Sequence, residues 1–186
     1  MSTFSNSHEI VTKIKGTDLI SIESVKSFLS ISKKSHYFDD VLSIYINSAI
    51  SELEHISGIS ILRATIKLSN FKPSVYEYIN LPFYPLRNII KIEAFDIKHN
   101  SIPFEYEATG ESSIIYIYSK CNKKIHYVNL IYEVGYKNFH DLSPEIAFSL
   151  FRHIEILFNN KDDPNFDDQE LFKIKVNYRK LRYIEI

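Results

Sequence analysis

Seven histidines, one cysteine and a run of aspartates are the residues of this 186-residue chain whose types could do chemistry. Histidine ligates metals and moves protons near neutral pH, but His8, His36, His55, His99, His126, His140 and His153 form no HExxH and do not pair at ligand spacing. His153 and Glu155 stand two apart on a predicted helix, about 200° around its axis, and cannot converge on one ion. His153 is expected as a partly exposed helix residue. Cys121 is alone, which excludes an internal disulfide and a multi-cysteine zinc site and suits a reducing cytoplasm; it reads as a small packing residue. Asp162, Asp163, Asp167, Asp168 and Glu170 could offer paired carboxylates for hydrolysis or Ca²⁺. The run lacks EF-hand spacing and its glycine, so it reads as a solvated loop. The glycines, at 16, 58, 110 and 135, are too scattered for a Walker loop or a GxGxxG turn, and no GxSxG elbow occurs. No catalytic, cofactor-binding or metal residue is assigned, and an enzyme is not expected.

Composition narrows the partners. With 22 Lys+Arg against 23 Asp+Glu the net charge is −1, so the chain lacks the global basic footprint of a dedicated DNA-binding domain. No run approaches the roughly 18 apolar residues of a membrane span, and residues 1–16 lack the apolar core of a signal peptide. They read as a flexible arm. At 45% apolar residues the chain can bury a real core. Most of its 13 Tyr and 13 Phe fall on predicted strand faces, where packing is the default.

These residues must be positioned by an α+β chain. Ser21 is placed to cap a short helix over about 21–30, with Glu23 in its first turn. Asp39 and Asp40 open a longer helix, about 39–57, whose apolar positions Leu42, Tyr45, Ile46, Ala49, Ile50, Leu53 and Ile56 recur at helical spacing. Gly58 suits its left-handed stop. From about 64 to 134 short β-branched and aromatic runs predict six strands, near 64–69, 76–81, 88–96, 102–107, 113–119 and 125–134. Between the second and third, Leu81-Pro82-Phe83-Tyr84-Pro85-Leu86 must turn or cross an edge, because proline lacks a ladder donor. Ser143-Pro144-Glu145 starts a third helix, about 143–159, with Ala147, Leu150, Phe151, Ile154, Leu157 and Phe158 as its buried stripe. Leu171 to Ile186 then interleaves Lys173, Lys175, Arg179, Lys180 and Arg182 with apolar residues, a pattern that suits either a last strand of the domain or an extended C-terminal arm.

Taken in order, five segments resemble the head–tail connector, or portal adaptor, proteins of long-tailed phages and gene-transfer particles. The first helix matches a family pattern at Ile20, Ser21, Glu23, Val25, Lys26 and Leu29, and the long helix ends in Glu54, Ser57 and Gly58. Leu81, Pro82, Pro85 and Leu86 match the family's proline segment. Tyr132, Gly135 and Tyr136 match its Tyr-x-x-Gly-Tyr, and Pro144, Ile146 and Ala147 its last helix opening. Two segments depart: Lys98-His99-Asn100 stands where the family often has Asp-Gly, and Asn159-Asn160-Lys161 replaces the usual helix ending.

The resemblance implies a small bundle of three main helices with an inserted antiparallel β module, as a single connector domain over 18–170 flanked by arms 1–17 and 171–186. It implies no catalysis and no cofactor. The implied role is a structural subunit of a ring, typically of twelve copies, that docks under the portal, extends the DNA channel without sequence-specific binding and carries the next neck or tail protein. Its place would be the head–tail interface of a virion or phage-like particle, with assembly in the host cytoplasm and no membrane partner. The candidate portal-docking arm is Lys175, Val176, Tyr178, Arg179, Leu181, Arg182 and Tyr183, since alternating apolar and cationic residues suit an added extended segment. Two alternatives stand beside it: a DNA-end or single-strand binding module using Tyr178, Arg179, Lys180 and Arg182, and another neck protein, a stopper or tail-completion factor.

Overall fold

The computed structural model describes residues 7–108, 113–160 and 169–181. The chain is α+β, as the sequence implies, and separates into two compact units. One takes the N-terminal segment through Lys13 together with Arg63–Gly135; the other takes Ile14–Leu62 and the chain from Tyr136 onward. The expected single domain over 18–170 is therefore divided, and its β part recruits residues assigned to a free arm.

Two antiparallel sheets form the first unit. β1 (Ser7–Lys13), β2 (Ala64–Phe71), β7 (Tyr127–Val134) and β4 (Leu86–Phe95) make a four-stranded sheet in the order β1-β2-β7-β4. β3 (Tyr78–Asn80), β6 (Ile114–Ser119) and β5 (Phe104–Ala108) make a three-stranded sheet in the order β3-β6-β5. The period of two is clear in β7, where Val128, Leu130, Tyr132 and Val134 are buried and the residues between them are not. They pack in one core with Ala64, Ile66 and Leu68 of β2, Ala94 of β4, and Ile79, Ile115 and Ile117 from the other sheet. The double-proline segment lies between β3 and β4, where its missing donors cost no ladder bond, and the Tyr84–Pro85 peptide is cis.

Among the described residues the second unit holds five α-helices, α1 (Gly16–Leu19), α2 (Ile22–Phe28), α3 (Asp39–Ser57), α4 (Pro144–Asn159) and α5 (Gln169–Leu181), and a 3-10 turn at Phe139–Asp141. α3, α4 and α5 pack on one another pairwise. Leu42, Ile46, Ala49, Ile50 and Leu53 of α3 are fully buried, as are Ile146, Leu150 and Ile154 of α4. Three caps fix the ends. Ser21 Oγ accepts from Ser24 N–H at 3.1 Å, Ser143 Oγ accepts from Ile146 N–H at 3.4 Å, and Gly58 takes φ 78° after α3.

Two elements differ from the sequence-based expectation. Ser7–Lys13 is a strand on the sheet edge, with all seven residues exposed. Residues 169–181 are a helix instead of an extended arm, because Ile174, Tyr178 and Leu181, at i, i+4 and i+7, share one buried face.

Candidate functional site

The densest group of ionisable and polar side chains in the helical unit joins its three long helices. His153 of α4 is 0% exposed, against the partly exposed position expected for it. Its Nδ1 lies 3.0 Å from Tyr178 Oη of α5, and its Nε2 lies 3.3 Å from Glu52 Oε2 of α3. Lys175 Nζ, one helical turn before Tyr178, meets the other Glu52 oxygen at 2.8 Å. Burial pushes the imidazole pKa down; Glu52 opposes this and Lys175 adds to it. The Tyr178 hydroxyl also donates to Ser149 O at 3.4 Å, so it links the His153 ring to the backbone of α4. Burial likewise drives the Tyr178 phenol pKa up, so it stays protonated. Glu155 faces away and pairs with Arg152.

The group clamps the three long helices together, and no group of three His, Cys, Asp or Glu side chains that could hold a metal ion occurs among the described residues. Cys121 is half-buried near Ser119, whose side chain is the main cause lowering the thiol pKa. The acidic run from Asp162 to Asp168 lies outside the described residues.

A second group sits where α2 meets the start of α3. The Lys26 ammonium, 2% exposed, contacts Asp39 in the first turn of α3, and His36 Nδ1 lies 2.7 Å from the other Asp39 oxygen. The hydrogen bond from Lys26 is the first cause holding the Asp39 carboxyl below the usual carboxylate range. The carboxylate also faces the positive end of the helix dipole.

The motifs that carried the family resemblance have structural reasons. At the end of α3, Glu54 Oε1 accepts from Ile61 N–H at 2.8 Å and Leu62 N–H at 3.0 Å, so this side chain holds the segment leaving the helix. Ser57 Oγ donates to Leu53 O at 2.8 Å and accepts from Ile59 N–H at 3.1 Å. Gly135, at φ 81°, accepts through its carbonyl from Arg87 Nε at 2.9 Å. Where the family often has Asp-Gly, Asp96 Oδ1 accepts from Lys98 N–H and Asn100 N–H at 2.8 and 2.9 Å, while His99 takes the left-handed conformation at φ 60°.

Of the candidate docking residues, the helix unites Lys175, Val176, Tyr178, Arg179 and Leu181; Arg182 and Tyr183 lie outside the described residues. Tyr178 and Leu181 are buried in their own unit, Lys175 is paired with Glu52, Val176 is half-buried and Arg179 is exposed. Burial also removes Tyr178 from any platform for stacking bases. Sequence reasoning missed the roles of Glu52, Glu54 and His153. For Glu54 a signal existed, since the resemblance already singled it out.

This fold is shared with neck components of gene transfer agent (GTA) particles. A chain in the neck of an empty GTA particle, computed with C6 symmetry, superposes with a TM-score of 0.69 at 13% identity, covering 93% of this chain and 95% of that one. A chain of the native GTA virion gives 0.69 at 14% identity, covering 96% of each. A third, in the native GTA neck computed with C12 symmetry, gives 0.63 at 14% identity over 93% of this chain and 94% of that one. No family model and no curated protein sequence matches the chain.

Proposed function

We propose that this chain is a structural subunit of a particle neck, a head–tail connector that docks under a portal ring, extends the DNA channel and presents a platform to the next neck or tail protein. The observation that carries the reading is end-to-end likeness: 96% of this chain and 96% of a GTA virion chain share one fold, at a TM-score of 0.69. Shared cores arise in many folds, but here both units and their order along the chain are matched together. The neighbours' C6 and C12 neck symmetries support a ring, which we take as twelve copies with head-to-tail contacts that close by rotation. Chemistry is not part of the role, and the DNA would pass without being read. No helix among the described residues is long and apolar enough to cross a membrane, and the proposed location is the particle, reached from the host cytoplasm.

Docking on the portal falls to the C-terminal region, in a form altered by the helix. Tyr178 and Leu181 serve their own core, so Arg179 on the exposed face, with Val176 beside it and Arg182 and Tyr183 following, are the residues left for a partner. Particles from cells carrying an epitope-tagged copy of the gene, purified and imaged by electron microscopy with a tag-directed label, test the reading. Label confined to the junction of head and tail supports it; label on the capsid, on the tail tip or absent from particles overturns it.

A further inference from the structure

The three-stranded sheet buries one face and leaves the other uncovered. Ile79, Ile115 and Ile117 lie in the shared core, so by the period of two the residues alternating with them stand on the opposite face. There Tyr78 lies across from Tyr116, Tyr116 from Glu107, and Tyr118 from Glu105. Tyr116 is 44% exposed, Tyr118 38%, and the Glu105 side chain 67%. None of the three strands carries a lysine or an arginine. We infer that this face is a docking surface for an extended segment of another protein that carries arginines at alternate positions.

The rings and the charges together select the occupant. Exposed tyrosines alone could stack nucleobases, but a phosphate backbone would meet carboxylates here instead of the cations it needs. A guanidinium suits both parts of the face, since its plane stacks on a phenol ring while its N–H groups reach a carboxylate. Directly opposed residues of antiparallel strands have Cβ atoms about 5 Å apart, so each glutamate stands beside its tyrosine. The Tyr118 phenol pKa is raised, first by burial and then by Glu107, Tyr116 and Glu77, so carboxylates on both flanks act on this ring.

Spacing gives the pattern of the segment. Glu105 and Glu107 are two residues apart on β5, about 6.7 Å along the strand, which is also the step between alternate residues of an extended peptide. Both border an open hollow of about 390 Å³, lined by Phe104, Glu105, Tyr106, Glu107 and Tyr118. One of the two positions already holds a cation of the chain itself: Lys120 Nζ lies 2.6 Å from Glu105. Both partners are exposed, and such a pair is weak enough for an arriving guanidinium to displace.

What this face binds is independent of where the chain resides, so the two readings fall separately. Full-length protein, labelled with nitrogen-15 and with carbon-13 in its tyrosine rings, is titrated by NMR with the capped peptide Gly-Arg-Gly-Arg-Gly. The Tyr116 and Tyr118 rings and the Glu105 and Glu107 amides should shift saturably, with a Kd on the order of 1 mM from two stacking contacts and two ion pairs. Glu107→Gln should weaken binding about threefold, and Glu105→Gln with Glu107→Gln about tenfold, at an unchanged thermal midpoint because both sites are exposed. Lys120→Ala should tighten it by removing the competing ammonium. The peptide Gly-Arg-Gly-Gly-Arg, whose arginines point to opposite sides of an extended chain, should bind more weakly. No saturation by about 10 mM, equal binding of the two peptides, or indifference to Glu107→Gln overturns the inference. So do the same shifts on adding single-stranded oligothymidylate, which would mark a nucleobase platform, or on concentrating the protein alone, which would make a second copy the occupant. The neck reading survives each of these results and falls only if the labelled chain is missing from the head–tail junction.

Discussion

Replacing Tyr178 by phenylalanine removes a single oxygen from a residue that the family resemblance placed on an extended arm. In the structure that oxygen is buried and lies 3.0 Å from Nδ1 of a fully buried His153. The phenylalanine ring would keep the packing, so the change isolates the hydroxyl. Its loss leaves an imidazole nitrogen without a partner in a place water does not reach, and an unsatisfied buried polar group costs about 1–3 kcal/mol. Taking about 2 kcal/mol, and roughly 2–4 °C per kcal/mol for a chain of this length, the thermal midpoint should fall by roughly 4–8 °C. Urea unfolding followed by far-ultraviolet circular dichroism should show a lower midpoint with an unchanged slope. Adding His153→Leu to Tyr178→Phe should cost less than the two single losses combined, because both ends of one bond are then gone. A Tyr178→Phe variant within about 0.5 kcal/mol of the parent would refute the seating of α5, since residue 178 on a free arm has no buried partner to lose.

The same clamp predicts acid sensitivity. The His153 pKa lies below its ordinary value of 6.5 in the folded chain, so the unfolded chain binds its proton first. Stability from this group should be complete above about pH 6.5 and decline as pH falls toward the depressed value, and His153→Gln should flatten that part of a pH series of urea midpoints. Gly58→Ala forces a Cβ into a left-handed backbone at φ 78° and should destabilise the chain by roughly 1–2 kcal/mol, measured by the same denaturation. Lys26→Met removes the main donor to Asp39, so the Asp39 titration followed by carboxyl NMR should move upward. Deleting residues 182–186 should leave the helical circular dichroism intact while weakening capture by the portal, whereas a deletion beginning at Leu171 should unfold part of the helical unit, since it takes Ile174, Tyr178 and Leu181 from the core.

What could be read in the sequence was local. The Ser21 and Ser143 caps, Pro144 at the helix start and Gly58 at the helix stop each act within a few residues, so their signals sit in contiguous chain. β7 was legible for the same reason: its alternation is complete within one strand. β1 was not, because it pairs with β2 more than fifty residues away and buries none of its side chains, leaving no inward-facing pattern. The C-terminal helix was ambiguous in an instructive way. Ile174, Val176 and Tyr178 alternate as in a strand, while Ile174, Tyr178 and Leu181 repeat as in a helix, and both patterns use the same residues. Glu52 and His153 on other helices favour the second, and neither is visible from the segment itself. His153 likewise looked like a surface residue because its partner lies 25 positions on.

The joint at which the chain enters and leaves the β unit makes that unit a transferable cassette. Leu62 and Tyr136 form a parallel bridge, and Tyr136 N–H donates to Ile61 O at 3.1 Å, so the points of departure and return are side by side. Bringing them together costs the helical unit little entropy whatever length is spliced between, which is the condition under which insertions are gained, lost or exchanged over evolutionary time. β1 qualifies this freedom. It reaches the cassette from the opposite end of the gene, so a transplanted segment 63–135 would arrive lacking an edge strand and would have to find one in its new host.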